Sequence, residues 1–192
     1  MCAKRAVDAS GVRCVGKLIQ CTIVWVFLVV ALYDLLKGVN KRHATLMLAS
    51  ALIIVPIGFV DMLVQVAPLI LLSGSDFLSV FSKPQLDALT LGSLALRGNG
   101  VLIASAFWGL WLFPFGMLVI SSGFFPKILG VLLIVAGSAY LVGSFASIAL
   151  PAQRQFVSLV TLPFYAVGEL SMIVWLLVKG APVPLPEAHP SL

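Results

Sequence analysis

Charge is scarce in this chain, and most of it lies outside the apolar stretches. Asp, Glu, Lys and Arg together make up 10% of the residues, against about 25% in soluble globular domains. Hydrophobic residues make up 61% and the mean hydropathy is +1.14. A soluble fold has nowhere to hide so much apolar surface, whereas lipid accepts it. Cysteine is rare too. Cys2, Cys14 and Cys21 form no C-x-x-C motif and have no His or carboxylate cluster beside them, so the usual grounds for a transition-metal site are missing. Cys14 and Cys21 share one helix face and are expected to be small buried hydrophobes. His43 falls in a turn and His189 in the terminal segment, which leaves no Ser/His pair within a span for intramembrane serine catalysis. The net charge is +5, but no basic stripe alternates with aromatics, and nucleic acid is not an expected partner.

Long apolar runs are what the chain has in place of charge. Val101–Ile120 and Ile128–Ile148 face each other across the turn from Ser121 to Lys127. Each is long enough to cross a hydrocarbon core of about 30 Å at about 1.5 Å per residue. Such a short turn allows only an antiparallel hairpin. The runs are solid rather than alternating, which excludes a transmembrane β-barrel. The expected fold is all-α, a polytopic transmembrane bundle of about five spans near 18–36, 44–70, 101–120, 128–149 and 157–178. A basic tail (1–17) precedes a single membrane domain (18–180), and a Pro-rich tail (181–192) is expected to be disordered. The run Leu18–Leu36 has no small-residue cleavage site after it, so it is expected to stay as a helix rather than leave as a signal peptide. Gly38 suits its C-cap and Asn40 the N-cap of the next helix. Ala44–Leu72 carries Pro56 and Pro68, and is expected to tilt or kink. In the loop 73–99, Ser82-Lys83-Pro84-Gln85 has the pattern of a capping box. The residues after this box are expected to form either a short interfacial helix or an N-terminal extension of the third span.

Three stretches carry a family resemblance. They are Leu35–Lys41; Ser122–Leu132, continuing through Gly137 and Tyr140; and Gly168–Ser171 with Trp175–Gly180. In order and spacing they resemble DUF4386, a family of small bacterial membrane proteins of unknown function. The resemblance implies a helical membrane fold and no established activity. It also implies that this chain lacks the first of the six spans typical of members. Where members often carry charge early in the second span seen here, Ala51, Ile53 and Ile54 are apolar.

Two acids lie well inside spans. Call the side of the membrane holding Lys37–His43, Ser121–Lys127 and the C-terminus the first side. Glu169 lies ten residues from Lys179, about 15 Å in, and Asp61 twenty from Lys41, about 30 Å along. At those depths they do not form an aspartyl-protease pair, and the sequence offers no catalytic residue. Asp61 reads as half of an interfacial charge pair with Arg97 or Arg154 on the far side, or as a carboxylate snorkelling among headgroups. Glu169, near the midplane, is expected to face the bundle interior as a hydrogen-bonded latch or as a ligand or proton site. Tyr140 is its leading partner by depth and Ser138 the second. Trp108 and Trp111 are too deep for an interfacial belt and read as core or cavity-lining aromatics. Ala139, Gly143 and Ser147, spaced by four, form a small-residue stripe suited to close helix packing or homodimerisation.

These features point to a non-enzymatic structural, sensory or accessory component of the bacterial inner membrane, spanning it several times. The alternative is a small transporter or membrane-embedded binding protein for an apolar or cationic molecule, with Glu169 beside Tyr140, Trp108 and Trp111. No cofactor or metal is expected. Expected partners are the lipid bilayer and either further copies of the chain or another membrane protein. Outside the N-terminal tail, the first side holds five basic residues (Lys37, Lys41, Arg42, Lys127, Lys179) and the far side three (Lys83, Arg97, Arg154). The positive-inside rule then places the first side and the C-terminus in the cytoplasm, although Lys4, Arg5, Arg13 and Lys17 in the tail pull the other way. A C-terminal reporter that works only in the cytoplasm is expected to be active, and one that works only outside to be silent.

Overall fold

A computed structural model describes residues 2–180, with side chains from residue 16 except Leu18. The disorder expected of 181–192 concerns residues outside those described. Six α-helices run in order: α1 Cys2–Leu36, α2 Lys41–Leu71, α3 Lys83–Leu110, α4 Leu112–Ser121, α5 Lys127–Ala149 and α6 Arg154–Lys179. Two short 3₁₀ turns, Asp76–Leu78 and Pro151–Gln153, join them, and no strand occurs among the described residues. Among the described residues five segments are long and apolar enough to cross a membrane: Ile19–Leu36, Lys41–Leu71, Lys83–Ser121, Lys127–Ala149 and Pro151–Lys179. The fold is an all-α helical bundle of multi-pass membrane type.

Several local expectations change. The basic N-terminal segment is helical from Cys2 and runs unbroken into the first span. α1 ends at Leu36, but Gly38 is not in the left-handed region, where Gly74, Gly123 and Gly180 are found. Asn40 does cap α2, its side chain accepting from the His43 backbone N–H at 3.1 Å. Past Ser82 there is no separate interfacial helix. The Gln85 side chain accepts the Ser82 backbone N–H at 2.8 Å, and the helix begun there extends the third span from its N-terminus. That span is itself two helices, divided at Trp111. Pro114 has no N–H to return to the carbonyl of Leu110 and crowds the preceding turn, so the ladder breaks there. Cys21 is exposed rather than buried.

α5 packs along α6 on one side and along α3 and α4 on the other, while α2 packs along α1, α3 and α4. α1 and α6 flank the bundle without packing along each other. The buried core lies toward the first side, where Val29, Leu36, Met47, Leu112, Leu118, Val119 and Leu133 are fully enclosed. Outward-facing apolar side chains such as Leu177, 80% exposed, suit lipid rather than water. On the first side Asp34 pairs with Lys37 at 2.6 Å. That hydrogen bond and charge hold the Lys37 ammonium above its ordinary value.

The closest backbone approach is a pair of glycine crossings between the third span and α5. A Cβ on Gly109 would stand 2.7 Å from the Gly137 carbonyl oxygen, and one on Gly116 would stand 2.7 Å from that of Gly130. Reciprocally, Gly130 would meet the Gly116 oxygen at 2.6 Å and Gly137 the Gly109 oxygen at 2.9 Å. These pairs lie one heptad apart in antiparallel register, so two turns on each helix touch backbone to backbone. Ser144 strengthens the seam by donating to the Leu102 carbonyl at 2.5 Å.

Gly116→Ala or Gly130→Ala is therefore expected to lower the thermal midpoint in detergent by the equivalent of about 1–3 kcal/mol, the usual cost of overpacking. Gly143→Ala, whose Cβ would meet Thr161 Oγ1 at 3.1 Å, is expected to cost less. Gly92→Ala, with open space around it, is expected to leave the midpoint unchanged or raise it. Equal midpoints for all four variants would show that the seam does not hold these helices together.

Candidate functional site

The site begins with how α6 is held. A Cβ on Gly168 would stand 2.7 Å from both the Ala136 Cβ and the Leu132 carbonyl oxygen, so a hydrogen atom alone fits there. This contact presses α6 against α5 one residue before Glu169, and the Glu169 side chain lies beside it, on a cavity of about 280 Å³. Trp25, Ile54, Trp108, Trp111 and Tyr140 line the rest of that cavity.

Each aromatic has a structural reason for its place. Trp111 stands at the break between α3 and α4, where it stacks on Phe115 at 5.3 Å and meets Trp25 edge-on at 4.9 Å. The Trp25 Nε1–H donates to the Ala51 carbonyl at 3.3 Å, which ties α1 to α2 and fixes the indole. Trp108 meets Tyr140 edge-on at 6.3 Å, and Tyr140 stacks on Tyr165 at 4.4 Å. The glycine crossing at Gly109 and Gly137 falls next to Trp108 and within one turn of Tyr140, so the same close approach sets both walls of the cavity.

The Tyr140 side chain neighbours the Glu169 carboxyl on this cavity. No Lys or Arg forms a salt bridge with Glu169 among the described residues. A half-buried carboxyl thus shares its cavity with three indoles and a phenol. Indole and phenol faces attract cations, most strongly where water is excluded, and a carboxylate adds full charge attraction. This arrangement can hold a cation or a proton. Among the described residues no three His, Cys, Asp or Glu side chains cluster as metal ligands would.

Of the residues singled out from sequence, Glu169, Tyr140, Trp108 and Trp111 come together. Ser138 does not join them. It is exposed, and its hydroxyl returns to the Ile134 carbonyl at 2.9 Å, so it is not a partner of Glu169. On the far side Asp61 meets Arg97, with Nε to Oδ1 at 3.4 Å and Nη2 to Oδ2 at 3.5 Å. Arg154 goes elsewhere, donating to the Gly98 carbonyl at 2.6 Å and to Asn99 Oδ1 at 3.1 Å. In the small-residue stripe Gly143 sits close against Thr161 of α6 and Ser147 is buried, while Ala139 is half-buried. With Ser144, Ser158 and Tyr165 the stripe lines a second cavity of about 170 Å³. Trp25 and the four seam glycines are additions that the structure makes. Depth would have found Trp25, which lies twelve residues from Lys37, or about 18 Å in, close to the level of Glu169.

Compared with protein families, residues 12–180 match the family described as Domain of unknown function (DUF4386). No curated protein and no solved structure matches the chain.

If the Glu169–Tyr140 contact ties the helices together, Glu169→Gln keeps a hydrogen-bonding group of the same shape and is expected to leave the thermal midpoint in detergent nearly unchanged. Glu169→Leu strands the Tyr140 hydroxyl and is expected to cost about 1–2 kcal/mol. A Glu169→Leu protein as stable as the parent would show that this contact holds nothing together.

Proposed function

The chain belongs to the DUF4386 family, and we propose that it is a membrane-embedded binding protein for a small organic cation. Glu169 is the counter-charge and Trp25, Trp108, Trp111 and Tyr140 form the cation-attracting walls. The observation that carries this reading is one cavity holding three indoles, a phenol and a carboxylate that has no salt-bridge partner among the described residues. A purely structural or accessory role fits a bundle whose interior is filled beside its midplane acid. The open volume at Glu169 favours binding instead, and a binding protein of this kind serves sensing or transport equally well. In this reading the protein resides in the bacterial plasma membrane and performs no covalent chemistry.

The cation and the proton compete for one carboxyl. Cation binding needs the carboxylate, so lowering the pH neutralises the counter-charge and weakens binding. The loss approaches tenfold per pH unit once the protonated form dominates.

The chain has four tryptophans, and three of them line the cavity, so intrinsic fluorescence reports occupancy. Titration with tetramethylammonium in detergent is expected to give a saturable change. The affinity is expected to fall as pH falls and to drop at least tenfold in Glu169→Gln, which keeps its thermal midpoint. Equal binding by Glu169→Gln, or no saturable response in the parent, would overturn the proposal.

A further inference from the structure

A second hollow opens from the same carboxyl. Between α1 and α6, which do not pack along each other, lies a cleft of about 340 Å³. Leu28 and Leu32 form one wall, and Met172, Ile173, Leu176 and Leu177 form the other. Trp111, Leu112, Phe115 and Leu133 close its back. Apart from Glu169 its lining side chains are aliphatic or aromatic. This cleft and the aromatic cavity share a border made by Trp25, Trp111 and Glu169. Counting along α6 from Glu169 to Leu177, the cleft runs about 12 Å toward the first side. Its mouth faces outward, since Leu28 is 44% and Ile173 50% exposed.

We infer that the ligand is a quaternary ammonium ion with one apolar arm. The head sits among Trp25, Trp108, Trp111 and Tyr140 against Glu169, and the arm lies in the α1–α6 cleft. This rests on the proposed cation-binding function and adds the shape of its ligand. Charge complementarity fixes the head, because the carboxylate stands at the junction. The cleft fixes the arm, because beyond that junction its walls offer aliphatic and aromatic carbon. An uncharged hydrocarbon would leave the carboxyl without a counter-charge, and a hydrophilic cation would make no use of the apolar cleft. The gap between α1 and α6 also lets such a ligand reach the cage sideways, without crossing the packed core.

The experiment compares tetramethylammonium with butyltrimethylammonium and hexyltrimethylammonium, all soluble in water, by tryptophan fluorescence in detergent. The affinity is expected to rise about fourfold for each methylene that enters the cleft, the free-energy gain of burying one methylene expressed as a ratio. Leu28→Phe combined with Ile173→Phe narrows the mouth at two outward-facing positions. It is expected to erase the gain from the arm while leaving tetramethylammonium binding and the thermal midpoint unchanged. If all three ions bind the parent equally, or if the narrowed variant keeps the full gain from the arm, the arm site is wrong and the cation site stands. If the parent binds none of them, both fall. If the narrowed variant loses the small ion as well while remaining folded, the cleft and the cage are not separable and the two-part ligand is overturned.

Discussion

Backbone contact between the third span and α5 is the constraint on which the rest depends. Lipid gives no hydrophobic drive for one transmembrane helix to join another, so close van der Waals packing has to supply it. Gly109 against Gly137 and Gly116 against Gly130 bring the two backbones as near as carbonyl oxygens permit. Larger residues at these positions would widen the gap between Trp108 and Tyr140, which stand at the upper crossing. Gly168 repeats the device between α5 and α6 and holds Glu169 at the level of the aromatics. The cavity is therefore a product of three close approaches, each depending on the absence of a side chain.

Much of the architecture was legible in the sequence because it rests on length and polarity. The five crossings come from apolar runs, the central hairpin from the short turn before Lys127, and the cap at Asn40 from ordinary helix chemistry. Glu169 and Tyr140 were paired by counting depth along antiparallel helices, a one-dimensional calculation that needs no knowledge of faces. Rotation about each helix axis was harder to read, since a nearly uniform apolar surface gives little moment to fix it. Ser138 and Tyr140 are two residues apart and so point to different sides, and only one of them meets Glu169. The stripe at Ala139, Gly143 and Ser147 and the glycines at 130 and 137 lie on the same helix, and spacing alone does not say which set meets which neighbour. The break at Trp111 had a visible cause in Pro114, but Val101–Ile120 scans as one continuous apolar run.

An acid near the midplane is costly to keep in a membrane. Here Glu169 has no salt bridge among the described residues, and a phenol and three indoles line the cavity around it. A carboxylate among indoles is poorly accommodated until something positive arrives, and that bias is the basis of the proposed cation binding. Asp61 shows the contrast. It is paired with Arg97 on the far side, so its charge is already answered.

The bundle is fastened differently at its two ends. Toward the first side the helices share a dry core around Leu36, Met47, Leu112, Leu118 and Leu133. Toward the far side they are joined by charged fasteners, Asp61 to Arg97 between α2 and α3, and Arg154 to Gly98 and Asn99 between α6 and α3. Dissolved salt screens charge pairs near water and does little to a hydrocarbon core. Local opening tracks the weaker fastening, so the far end loosens first and the more so as ionic strength rises. Added salt on the far side is thus expected to weaken the fastening there more than it weakens the core on the first side.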